Sequence, residues 1–162
     1  MKITTRLLLA ACLVLPFAAC KKAEAPKAEK PPVAMPTDPA DKPGWQNYMG
    51  DVISRHMEGV NNQLFAYLLP PESAADFQDQ YDSLLDKAKS DVARGIIGGN
   101  LLAYGGPSSA RTADLVVEAF KPVSPGTMKG VKVLFIGAAA DNDRVKAAVE
   151  PAGVDYVFVE AK

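Results

Sequence analysis

The sequence predicts an α/β domain in which two amphipathic helices precede a small three-stranded parallel β-α-β-α-β unit. Three observations lead there. Trp45 to Leu68 and Ser73 to Val92 place apolar residues at steps of three and four, the mark of helices that bury one face. The later runs "NLLAYGG", "VKVLFIG" and "VDYVFVE" are nearly continuous in apolar residues, as strands covered on both faces are. Helical stretches separate these runs, and strands alternating with helices make parallel sheets through crossovers.

Each element follows in chain order. The first helix takes its stripe from Trp45, Tyr48, Met49, Val52, Ile53, Met57, Val60, Leu64 and Leu68, and Pro70-Pro71 stop it, since proline cannot continue the hydrogen-bond ladder. The second starts at Ser73 as N-cap, buries Phe77, Tyr81, Leu84, Leu85, Ala88 and Val92, and ends at Gly95, a residue suited to the left-handed turn that closes a helix. The first strand lies in "NLLAYGG"; Gly98 and Gly99 interrupt Ile96 to Tyr104 and leave an α+β sandwich with a hairpin as the alternative. "SSARTADLVVEAF" is a helix, Val131 to Ile136 the central strand, "DNDRVKAAVE" a helix and "VDYVFVE" the last strand. Tyr104-Gly105 leads to Arg111 and Glu118 much as Ile136-Gly137 leads to Arg144 and Glu150, one β-α solution used twice.

Ahead of this domain, 45–162, two segments differ in kind. Met1 to Ala19 has basic Lys2 and Arg6, an apolar run from Leu7 to Leu15 and small Ala18 and Ala19, the three regions of a secretory signal peptide. Counted on to Ala19, the apolar stretch is about 13 residues, short of the roughly 20 that span a bilayer as a helix. Lys21 to Gly44 holds six prolines, five lysines and five alanines, a composition that buries too little to offset ordering entropy and is expected to form a disordered tether over 20–44.

Charge and cysteine usage exclude other classes. The chain has 18 basic and 19 acidic residues, while 45–162 carries 11 Lys or Arg against 15 Asp or Glu, a net charge of −4. A nucleic-acid binder would show a basic stripe to neutralise phosphates, so none is expected as partner. No cysteine follows Cys20, which excludes a disulfide within the mature chain.

Leu-Pro-Phe-Ala-Ala-Cys, at residues 15–20, resembles the lipobox of bacterial lipoproteins. Ala18, Ala19 and Cys20 match, while Phe17 stands where leucine is usual. The resemblance implies that Cys20 is lipidated on sulfur, becomes the first mature residue and carries a diacylglyceryl group and an amide-linked chain. Two or more acyl chains hold a protein on a membrane durably. Lys21 follows the cysteine where an aspartate is absent, which resembles lipoproteins sorted to the outer membrane, facing the periplasm.

Candidate chemistry is sparse. Ligands of open α/β sheets bind beyond the carboxyl ends of the strands, which here offer Ser108, Ser109 and Arg111 after the first strand and Asp141, Asn142 and Asp143 after the second. The serines stand at a helix N-terminus, where backbone N–H groups favour an anion, but Ser108 or Ser109 equally serves as helix cap. "DND" lacks the ordered spacing of a calcium loop. His56 is the only histidine, too few for a zinc site, and no nucleophile elbow accompanies it. No cofactor, metal or catalytic residue is therefore expected. The expected function is that of a membrane-anchored envelope lipoprotein whose domain binds a protein or envelope partner in an assembly, accessory or immunity role. The alternative is a small-ligand binder or enzyme that uses the two loops.

Overall fold

A computed structural model describes residues 31–162, so the leader 1–19, Cys20 and the first part of the tether lie outside the described residues. Residues 31–162 form one compact unit. The folded chain therefore starts earlier than the sequence suggested. The backbone N–H of Val33 donates to Asp51 Oδ2 at 3.1 Å, and Met35 packs against a buried cluster. Asp41 caps helix α1, Lys42–Arg55, by accepting from the backbone N–H of Gly44 at 3.0 Å. Part of the expected tether is thus drawn in along the first helix.

The expectation of two successive helices and three strands is corrected here. Helix α1 stops at Arg55, the chain turns through Gly59 at φ +78°, and Leu64–Leu68 form strand β1. Val60, Leu64 and Leu68 continue the four-residue step of α1, which hid the change of period. After β1 come α2 (Phe77–Ala93), β2 (Leu101–Gly105), α3 (Ser109–Phe120), β3 (Lys132–Gly137), α4 (Ala139–Val149), a single 3₁₀ turn and β4 (Asp155–Glu160). Helix α2 begins at Phe77 rather than after Ser73, because residues 71–76 form turns in which the N–H of Ala74 donates to Pro71 and that of Phe77 to Ala74. It ends as expected before Gly95, at φ +82°.

The sheet is parallel throughout, with four strands in the order β1-β2-β3-β4; the hairpin alternative does not occur among the described residues. The strand expected at the centre, now β3, is interior, and β2 shares that position. Asn100 holds the start of β1 to β2: its Oδ1 accepts from the N–H of Gln63 at 2.8 Å and its Nδ2 donates to the carbonyl of Ile97 at 2.7 Å.

Because every crossover steps one strand in the same direction, the usual right-handed connection puts all the crossover helices on one face. Helices α2, α3 and α4 accordingly cover Tyr67, Leu102, Tyr104, Val133 and Phe135. The alternate residues Leu101, Ala103, Leu134 and Ile136 point to the other face, which α1 covers with Trp45, Tyr48, Met49, Val52 and Ile53. Two glycines permit close approach at the carboxyl edge of the sheet: a Cβ on Gly106 would lie 2.7 Å from Leu69 Cβ, and one on Gly137 would lie 2.6 Å from Ser109 Oγ.

Since among the described residues α1 alone supplies the helical cover of its face, Trp45→Ala should lower stability by about 3–5 kcal/mol, the range for truncating a buried aromatic. Urea unfolding measures this; a loss below about 1 kcal/mol would mean that α1 is not integral to the core.

Candidate functional site

The loops beyond β2 and β3 meet, but they spend their polar groups on one another. Ser109 Oγ donates to Asp141 Oδ2 at 2.5 Å and accepts from the N–H of Ala138 at 2.7 Å. Arg144 donates to Asp141 Oδ1 through Nε at 3.0 Å and Nη2 at 2.8 Å, to Asp114 Oδ1 at 2.5 Å and to the Ala110 carbonyl at 2.7 Å. Arg111 lies 4.4 Å over the Tyr81 ring and 3.6 Å from Asp114. Ser108 caps α3 through a long 3.5 Å contact from the N–H of Arg111. Asn142 accepts from the Tyr156 hydroxyl at 2.9 Å and donates to the neighbouring Asp143 at 3.2 Å. Burial raises the carboxyl pKa of Asp141, and the bonds from Ser109 and Arg144 with the arginine charge reverse this, so its net value is lowered.

Thus Ser109 and Asp141, 32 residues apart in sequence, do come together, and Arg111 and Arg144 both reach Asp114. Their bonds join the N-termini of α3 and α4. The strand order explains why they frame a seam: a crevice at the carboxyl edge of an open sheet opens where the order reverses, and β1-β2-β3-β4 never reverses. Among the described residues no group of three or more His, Cys, Asp or Glu is placed to hold a metal ion. His56 ends α1, with Nδ1 2.7 Å from the Val52 carbonyl.

A second polar cluster lies beneath α2. Asp91, 8% exposed, accepts at Oδ2 from the Tyr67 hydroxyl at 2.8 Å and Lys87 Nζ at 2.7 Å, with Arg94 3.4 Å from Oδ1. Burial pushes the Asp91 carboxyl up, but the bonds from Lys87 and Tyr67 and the charges of Lys87 and Arg94 outweigh it and leave the carboxyl below its usual value. The Tyr67 hydroxyl is raised far above its ordinary range by burial and by the adjacent carboxylate. Tyr67 stacks on Tyr104 with ring centroids 4.6 Å apart, and the buried Tyr104 hydroxyl has no partner among the described residues.

The surface that sequence reasoning missed runs along β1. On the α1 side, a groove of about 600 Å³ lies between Gln46, Met49, Gly50, Ile53, Ser54 and Met57 of the α1 region and Leu64, Ala66 and Leu68 of β1. Leu64 is 46% exposed and Met57 37%. None of these lining residues is charged, whereas α1 carries Lys42, Asp51 and Arg55 elsewhere. Among the described residues the strand itself is an edge, with β2 on one side only. Asn61-Asn62 followed by the aromatic-rich "LFAYLL" was the available signal, a turn leading into a β-prone run.

No family model, curated protein or solved structure matches the chain. The geometry itself defines a class: a sequentially ordered, all-parallel α/β domain with one uncharged, half-covered sheet edge.

Two predictions concern the tyrosine cluster. Tyr104→Phe removes a buried hydroxyl that lacks a partner and should hold or raise stability by up to about 1 kcal/mol, whereas Tyr67→Phe takes a donor from buried Asp91 and should cost about 1–3 kcal/mol. Urea midpoints distinguish them, and equal losses would contradict the assignment. For pH, a depressed folded pKa contributes stability that is present above the unfolded aspartate value of 3.8 and lost as pH falls through the lower folded value. Asp91→Asn should therefore weaken the protein at pH 7 and flatten the decline of stability below about pH 4; an unchanged acid slope would exclude the paired carboxylate as a contributor.

Proposed function

We propose that the protein is a lipid-anchored envelope lipoprotein whose α/β domain binds a protein partner through the β1 edge and the groove beside α1. The anchor rests on the lipobox-like "LPFAAC" and its place after an apolar leader. Lipid on Cys20 and an outer-membrane, periplasm-facing address complete that half of the reading. Among the described residues no helix is long and apolar enough to cross a membrane.

The observation that carries the binding half is the chemistry of β1. From Gly59 to Pro71 the chain has no Lys, Arg, Asp, Glu or His. Edge strands of proteins that remain alone are commonly guarded by charge, proline or a bulge, because their free N–H and C=O groups pair with other chains. In β1 the five residues Leu64–Leu68 contain none of these guards, and an apolar groove runs alongside. Extended segments that add to a sheet edge take affinity from main-chain bonds and specificity from flanking pockets. The Ser109–Asp141 seam offers no such free groups, so the small-ligand alternative has less to support it.

One paired experiment tests both halves. A photo-crosslinking residue at Ala66 in the full chain should yield adducts in intact cells, while Cys20→Ser should leave an unprocessed or soluble protein. Absence of any Ala66 adduct above that of an exposed position on α4 would defeat the binding reading. A Cys20→Ser protein that keeps wild-type mass and enters the detergent phase would defeat the anchor.

A further inference from the structure

We infer that the occupant of the β1 edge is a second copy of this chain, paired antiparallel about Ala66 so that two four-stranded sheets join into one of eight. This rests on the binding reading above and names its partner. The parity of the backbone comes first. The carbonyl of Gln63 accepts from Leu101 and the N–H of Leu69 donates to Gly105, so odd-numbered residues of this stretch turn their main-chain groups toward β2. Successive residues of a strand alternate edges, and Leu64, Ala66 and Leu68 therefore direct theirs outward.

An antiparallel pair centred on Ala66 sets Ala66 opposite Ala66 and Leu64 opposite Leu68 of the other copy. Those are the residues with outward groups, so every facing pair exchanges both of its main-chain bonds. The two-fold axis stands perpendicular to the sheet and keeps both α1 helices on one side, as an isologous interface requires. The two grooves then merge into one trough, floored by Leu64 and Leu68 from both strands and walled by the uncharged α1 flanks. Gly50 sits on that flank, with nothing within 4 Å of the position its Cβ would take, which leaves room for the second helix. On the other face Phe65 falls opposite Tyr67 of the second copy, whose ring is already covered by its own α2 and Lys87.

Charge favours this occupant. Self-pairing sets like against like; the stretch from Gly59 to Pro71 brings no charge of its own, and Lys87, which lies over the Phe65 and Tyr67 rings on the α2 side, is paired with Asp91 at 2.7 Å. Pro70 and Pro71 limit the ladder to the length of β1 at one end, and the two-fold applies the same limit at the other.

Disulfide trapping in membranes from cells that make the full chain tests the register. Facing residues of a bonded antiparallel pair have Cα atoms about 5.5 Å apart, within disulfide reach. Ala66→Cys should therefore double the apparent mass on a non-reducing gel after mild oxidation. Wild type controls for Cys12 and Cys20, and Ala75→Cys controls for random collision. Leu64→Cys alone should remain monomeric, because the two copies of residue 64 lie roughly 14 Å apart, whereas co-expressed Leu64→Cys and Leu68→Cys should crosslink. Ala66 is exposed, so the variant should melt as wild type does. A folded Ala66→Cys chain that stays monomeric overturns the second copy, as does doubling by Ala75→Cys or by Leu64→Cys alone to the same extent. An Ala66 photo-adduct with a different protein and no self-disulfide would keep the binding reading and exclude self-pairing.

Discussion

The constraint on which the fold depends is the unreversed order of its strands. Three crossovers of one hand, each moving one strand along, leave their helices on a single face. The opposite face then has no crossover helix of its own. It is closed by α1, which precedes the sheet in sequence, and by residues such as Met35 that lie ahead of α1. One helix is about 10 Å across with its side chains, while four strands at about 4.8 Å spacing form a wider floor. Cover is thus incomplete, and the shortfall lies at β1, where Leu64 and Ala66 remain exposed.

The same order decides where polar chemistry can gather. Without a switch point the loops after β2 and β3 close on each other. Their serine, aspartates and arginines become fasteners between α3 and α4, with Arg144 reaching Asp141, Asp114 and a main-chain carbonyl at once. Buried Asp91 serves a similar end under α2, tying β1 to the helix that follows it through Tyr67. Charge is thereby concentrated on the three-helix side, and the lining of the groove is left without any.

What could be read from the sequence followed from how strongly local pattern fixes local structure. The strands at β2, β3 and β4 were legible because each is an apolar run set off by glycine or by charged residues, and helix α3 between the first two carries a clean stripe. Strand β1 was not legible, because "LFAYLL" is apolar on both faces and its leucines stay in step with Val60 and α1. Periodicity cannot separate a short buried strand from helix in such a run. The contact between Ser109 and Asp141 depends on which strands are neighbours, which no local pattern encodes. The groove depends on an absence of cover, and that becomes visible only when the sheet is complete.

The segment ahead of α1 has a mechanical consequence. Once Val33 is fastened to Asp51, eleven residue steps of sequence separate Cys20 from residue 31, a length that no arrangement stretches past about 40 Å. Under the proposed anchor at Cys20, the domain would work within a thin layer beside the membrane. Its encounters become a search over an area rather than through a volume, and modest surface densities correspond to high local concentrations. Under that proposal a short five-residue edge would need little intrinsic affinity to hold its partner.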